Sequence, residues 1–264
     1  MFKTSSLEYI DRPIDSPETL AKDILRPVLY AILQQADSIQ RLTGLGLLPS
    51  SIQGETVKAH TIRLVALANI LPGNEKTKNA LMLTLAIHDL PETGQLIAVN
   101  RRSDTTAVDK ALSAELDQQI SVTEEQVATN IFNSDELNLY HEFEKASSYL
   151  KGRSQDLPTE IGLISKICDK IDADIHYHMA AIANRNDWSK LCDKGPKLGF
   201  DLYEAYSTKL VELKNTSLSN SSILCQELMN STMLKIQEIW NEVPQNEVPQ
   251  IIKECLENFK MYSI

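Results

Sequence analysis

The sequence predicts an all-α protein, and three observations carry that expectation. Glycine and proline are sparse, at 9 and 10 of 264 residues, and the long stretches between them have a helix-favouring composition rich in Leu, Ala, Glu and Lys. Apolar residues recur at i, i+3, i+4 and i+7, the period of one helix face. Helix start signals stand where those runs begin.

The elements follow in order. Ser16-Pro-Glu-Thr19 supplies an N-cap and a proline at the first helical position, and opens a helix to about Gln35. Thr43-Gly-Leu-Gly-Leu-Leu-Pro-Ser-Ser51 is a loop. Glu55 to Leu71 and Lys76 to Leu90 are the next helices. Ser121-Val-Thr-Glu124 is a capping box that opens another, and Ser134-Asp-Glu-Leu137 caps one that runs toward Leu150. Lys151 to Leu157 is a polar link before a long helix from Pro158 to about Asn184. The tail reads as helices near 201–214, 221–242 and 248–261, joined by a Ser/Asn-rich segment and by the break at Val243-Pro-Gln-Asn246.

Composition excludes several function classes. The net charge is −10 and the isoelectric point is near 5.0, so no basic stripe is present to neutralise a nucleic-acid duplex. A small anionic substrate needs only a local basic cluster. Cys168, Cys192, Cys225 and Cys255 form no C-x-x-C pair and read as reduced thiols. The N-terminus has no apolar signal core, and no apolar run approaches a membrane span. The cytoplasm is the expected location.

Four ligand-type residues stand on or beside core faces. In the helix from Glu55, Val57, His60, Thr61, Leu64, Ala68 and Leu71 share one stripe. In the next, Leu81, Thr84, Leu85 and His88 align, with Asp89 adjacent and Glu92 a turn later. In the long helix, Ile161, Ile164, Cys168, Ile171 and Ile175 form a seam, flanked by Asp169, Asp172 and His176. Each of these residues taken alone reads as an ordinary core histidine or solvated acid. Together, two imidazoles and two carboxylates on three helical segments make a plausible first coordination sphere for a catalytic divalent metal.

The ordered pattern His60, His88-Asp89, Asp169 resembles the HD-domain superfamily of metal-dependent phosphohydrolases, and is most similar to its 5′-deoxynucleotidase-like branch. Glu55-Thr-Val-Lys-Ala-His60, His88-Asp-Leu-Pro-Glu92, Leu139-Tyr-His-Glu-Phe-Glu144 and Lys166-Ile-Cys-Asp-Lys-Ile-Asp172 each resemble a string of that branch, over about 39–179. The resemblance implies an HD-domain helical bundle: one domain over 1–264, with a core of about 39–185, an N-terminal helical extension 1–38 and a C-terminal helical extension 186–264. It implies one divalent ion (Mn, Co, Fe, Ni, Zn or Mg) held by His60, His88, Asp89 and Asp169. Glu92 is then the catalytic residue that orients or deprotonates water. Arg41 and Lys110 hold substrate phosphate, and Lys170 with Asp172 forms a supporting pair that orients Asp169.

The activity so implied is hydrolysis of a small phosphorylated substrate, a nucleoside monophosphate in first place. Thr93-Gly-Gln-Leu-Ile97 stands where the branch carries a Gly-Asp-Ile turn, and the substrate stays open. Nucleoside triphosphates or alarmone-type pyrophosphate esters are the alternative substrates. A non-catalytic helical binding protein that retains the site is the third reading. Members of the branch often pair as homodimers, so a homodimer is among the expected states.

Overall fold

A computed structural model describes residues 16–41, 55–98, 114–183, 194–259 and 262. Its helices are α1 (Pro17–Ile24), α2 (Pro27–Gln35), α3 (Val57–Ile70), α4 (Glu75–Ile87), α5 (Leu90–Ala98), α6 (Ala114–Ile131), α7 (Ser134–Leu150), α8 (Glu160–Ala183), α9 (Lys194–Glu212), α10 (Ser219–Asn241) and α11 (Gln250–Asn258). Short 3₁₀ turns cover Ala36–Ser38 and Leu213–Asn215. Among the described residues the only β-type pairing is an isolated antiparallel bridge between Gln40 and Thr56. The fold is all-α.

Prolines relocate two of the predicted boundaries. The single helix expected from Ser16 to Gln35 is two. Pro27 has no N–H for the Asp23 carbonyl, and its ring drives Arg26 out of the helical region, to φ −59° and ψ 150°. Arg26 uses the break to reach α7 and the end of α6: its Nε donates to Glu136 Oε1 at 2.7 Å, and its Nη2 to the Ile131 carbonyl at 2.7 Å. Glu136 also closes the capping box of α7 with Asn133. The helix expected from Lys76 to Leu90 likewise ends at Ile87, and α5 starts at Leu90. Pro91 cannot donate to the Ile87 carbonyl, so the ladder breaks there and His88-Asp89 occupies the turn between the two helices.

Other boundaries shift for local reasons. Ser121-Val-Thr-Glu124 opens no helix, because α6 runs through it. Thr123 turns its hydroxyl to the Gln119 carbonyl at 2.9 Å, a bond that satisfies a mid-helix hydroxyl as well as a cap does. The first tail helix begins at Lys194, ahead of the expected 201.

α8 is the central element. It packs on α3, α4 and α7 on one side and along α10 on the other. The sequence suggested a single apolar seam, but Leu163 and Ile167 are buried along with Ile164, Cys168 and Ile171. Residues on the flank of that seam therefore also point into the protein. At the α7–α8 crossing the backbones nearly touch: a Cβ on Gly162 would lie 2.3 Å from the Glu142 carbonyl oxygen. Only glycine allows that approach. One apolar core runs from Ala21 on α1 to Ile252 on α11. No described helix is long and apolar enough to cross a membrane.

Candidate metal centre

The site gathers where α3, the α4–α5 turn and α8 meet. Thr56 caps α3 by accepting from the Ala59 N–H at 3.1 Å, which sets the first turn and with it His60. The Gln40–Thr56 bridge, through Arg41 N to the Glu55 carbonyl at 3.0 Å, holds Arg41 beside the start of α3. The break before Pro91 supplies His88 and Asp89. α8 supplies Asp169.

These four side chains converge. His60 Nε2 lies 3.2 Å from Asp169 Oδ1 and 3.7 Å from Asp89 Oδ2. His88 Nε2 lies 3.1 Å from Asp89 Oδ1 and 3.6 Å from Asp169 Oδ1. The two imidazole rings stand edge-to-face at 5.5 Å. His60, His88 and Asp169 each offer one ligand atom, all within 4.8 Å of one another, so this group can hold a metal ion.

The opposite ring nitrogens explain why. His60 Nδ1 is 2.7 Å from Asp172 Oδ2, and His88 Nδ1 is 2.8 Å from the Leu85 carbonyl. A carbonyl only accepts, so His88 Nδ1 carries the proton, and the Asp172 carboxylate assigns His60 the same tautomer. With Nδ1 so engaged, each Nε2 faces carboxylate oxygens, a position suited to a cation, either a metal ion or a proton. Both Nε2 atoms are buried and make no aligned hydrogen bond. Lone pairs facing carboxylates repel unless a cation stands between them, and two imidazoles with two carboxylates suit a divalent ion.

The electrostatics agree. Burial acts to lower the His88 pKa, but the Asp89 and Asp169 carboxylates raise it to about 10. The acids therefore bind a proton on His88 where they can also bind a metal. Burial acts to raise Asp169, yet Lys166, His60 and His88 hold it well below the ordinary carboxylate range. Asp89 is held low in the same way by His88, Arg41 and His60. Cys168, one residue before Asp169, is pushed up to about 12 by burial and by Asp169 and Asp172, so its thiol stays protonated.

The supporting contacts differ from the expected pair. Lys170 does not join Asp172 and does not orient Asp169. Its ammonium donates to Asp174 and, at 3.0 Å, to the Gly199 carbonyl at the start of α9. One residue's step along a helix is about 100°, which turns Lys170 away from Asp169 toward the tail. Lys166, one turn earlier, orients Asp169 instead, with Nζ 2.7 Å from Oδ2 and 4.6 Å above the Phe143 ring. Asp172 supports His60 rather than Asp169. Arg63 grips it with Nε to Oδ1 at 3.0 Å and Nη2 to Oδ2 at 2.9 Å, and reaches Glu55 Oε1 at 2.8 Å.

Three residues of this support have no role assigned from the sequence: Arg63, and Glu55 and Lys166, which open the strings Glu55–His60 and Lys166–Asp172. The helical spacing contains the signal for two of them, since Lys166 precedes Asp169 by three residues and Arg63 follows His60 by three. Glu92 lies half-buried in the first turn of α5. Arg41 acts electrostatically on Asp89. Lys110 lies outside the described residues.

No protein-family model, no curated protein and no solved structure matches the chain.

Proposed function

We propose that this chain is a metal-dependent phosphohydrolase of the HD-domain type, acting as a phosphomonoesterase on nucleoside monophosphates. The observation that carries it is the pair of buried Nε2 atoms, His60 and His88, aimed without hydrogen bonds at Asp89 and Asp169. The ligand pattern's resemblance to the HD superfamily supports the phosphate-ester chemistry. The mixed imidazole and carboxylate donors favour Mn²⁺, Co²⁺, Fe²⁺, Ni²⁺ or Zn²⁺ over Mg²⁺, which prefers oxygen ligands alone.

When bound, such an ion polarises a phosphoryl oxygen and acidifies water. The protein's own groups do the rest. Asp172 and the Leu85 carbonyl fix both imidazole tautomers, and Lys166 fixes Asp169. Arg41 supplies positive charge beside Asp89 for the substrate phosphate. Glu92 takes the proton of the attacking water as the new oxygen–phosphorus bond forms. The ester bond breaks, and that proton goes to the departing alkoxide.

The test is phosphate release from a panel of nucleoside monophosphates, using protein purified without chelator and supplied with Mn²⁺ or Co²⁺. Orthophosphate release that disappears in His88→Ala supports the reading. Release of pyrophosphate or tripolyphosphate from other nucleotides moves the activity to the larger substrates. A metal-free protein whose melting temperature ignores both EDTA and His88→Ala overturns the enzyme reading.

A further inference from the structure

A second concave site lies away from the metal centre, between α9 and α11. It is a cavity of about 460 Å³, within the size range of small-molecule pockets. Its walls combine two kinds of residue. Tyr203, Phe259 and Tyr262 form an aromatic cluster, with Tyr203 ring centroids 5.1 Å from Phe259 and 6.2 Å from Tyr262. Asp201, Glu204 and Glu254 are exposed at the same cavity.

The aromatic wall is pinned in place. The Tyr203 hydroxyl donates to Asn230 Oδ1 at 2.6 Å, and Asn230 Nδ2 donates to the Tyr262 carbonyl at 2.8 Å. A residue on α10 thus ties the Tyr203 hydroxyl to the backbone of Tyr262. The carboxylates are not committed to cations: among the described residues, Asp201, Glu204 and Glu254 form no ion pair. Glu254 accepts one neutral hydrogen bond, from Gln250 at 3.0 Å. The chain as a whole carries −10, which adds to the local negative potential.

Aromatic faces attract cations through their quadrupole, and nearby carboxylates attract them by charge. A bare metal ion would gain little from the rings, and an anion would be repelled by three acids. We infer that this cavity binds a small organic ammonium ion, with its alkyl groups on the rings and its charge toward Glu204 and Glu254.

Isothermal titration of the full chain with choline chloride tests this, alongside 3,3-dimethylbutan-1-ol, the neutral isostere that carries carbon in place of nitrogen. Choline should bind at least about tenfold more tightly than the isostere, the ratio a desolvated cation–aromatic contact supports. Glu254→Gln, at an exposed position, and Phe259→Ala should each weaken choline binding while thermal melts report whether the fold is kept. Equal affinity for choline and its isostere overturns the inference, as does absence of choline binding at millimolar concentration. Choline binding unchanged in both variants overturns it as well, because the cation then sits elsewhere.

Discussion

His88 and His178 are both buried, and they stand at opposite electrostatic extremes. His88 faces Asp89 and Asp169, and its pKa is raised to about 10. His178, on the other side of the bundle, accepts the Trp240 Nε1–H on Nδ1 at 3.0 Å and is surrounded by the rings of Tyr177, Phe200 and Trp240. Burial, aided by Lys170, lowers its pKa to about 3. Burial alone makes a histidine a neutral packing residue. Buried carboxylates opposite its ring make it a cation-binding residue. The face of α8 toward α3 and α4 is built for a charge. The face toward α10 is built to hold the tail.

The comparison breaks first at the ligands. Asp169→Asn removes a negative donor from the centre and should leave protein that retains no metal by elemental analysis, with loss of any phosphatase activity. In the wild type, a ligating ion at 100 times its Kd should stabilise the fold by about 2.7 kcal/mol, read as a melting shift that EDTA reverses. An ion-independent melting curve would place His88 in the same class as His178.

Asp172→Asn sharpens the contrast. It keeps an oxygen near His60 Nδ1 but removes the charge that Arg63 and His60 share. Metal affinity should fall roughly 10- to 100-fold, the usual cost of losing a partner behind a ligating histidine, measured by competition with a chromogenic chelator.

On the tail side the expected effect is pH-dependent stability. His178 is neutral in the fold and ordinary in the unfolded chain, where its pKa is about 6.5. Its contribution is fully present above pH 6.5 and is lost as pH falls toward about 3. Each pH unit in that window should cost about 1.4 kcal/mol. His178→Gln keeps an acceptor for Trp240 and should remove that slope in urea titrations at pH 6 and pH 5. A slope that persists in the variant assigns it to other groups.

Gly162→Ala probes the scaffold that both faces share. The added methyl meets the Glu142 carbonyl, and such overpacking costs about 1–3 kcal/mol. It should lower the urea midpoint. Metal content per folded chain should hardly change, since Gly162 lies about two turns from Asp169.

Much of the fold was readable because its signals are local. The Ser16 cap and the stripe from Val57 to Leu71 concern residues within a turn or two of one another, whereas the cap of α7, expected at Ser134, is Asn133, one residue earlier. Pro27 and Pro91 carry equally local signals, and their effect on the ladder moved the boundaries that periodicity alone had drawn. His60, His88, Asp89 and Asp169 are ligand-type residues at core faces, and the structure brings ligand atoms of His60, His88 and Asp169 within 4.8 Å of one another, with Asp89 against both imidazoles.

The support around them was less readable. Asp172 stands out beside the seam of α8, but its partners are His60 and Arg63, not Lys170. Lys166 and Arg63 look like ordinary helix-surface cations until α3, α7 and α8 are packed. Lys170 and Lys166 differ by about one turn along α8, and sequence spacing leaves both near Asp169. The packing of α9 against one side decides that Lys170 serves the tail.

The sequence by itself determined the helical class, most of the helices and the four ligand-type side chains, because helix periodicity and capping act over a few residues. Only the tertiary structure decided which cation holds Asp169, which acid turns His60, and that His88 and His178 have opposite characters. Those outcomes depend on atoms brought together from segments as much as 112 residues apart, as in His60 and Asp172. At such contacts, burial multiplies the effect of whichever charge happens to face the ring.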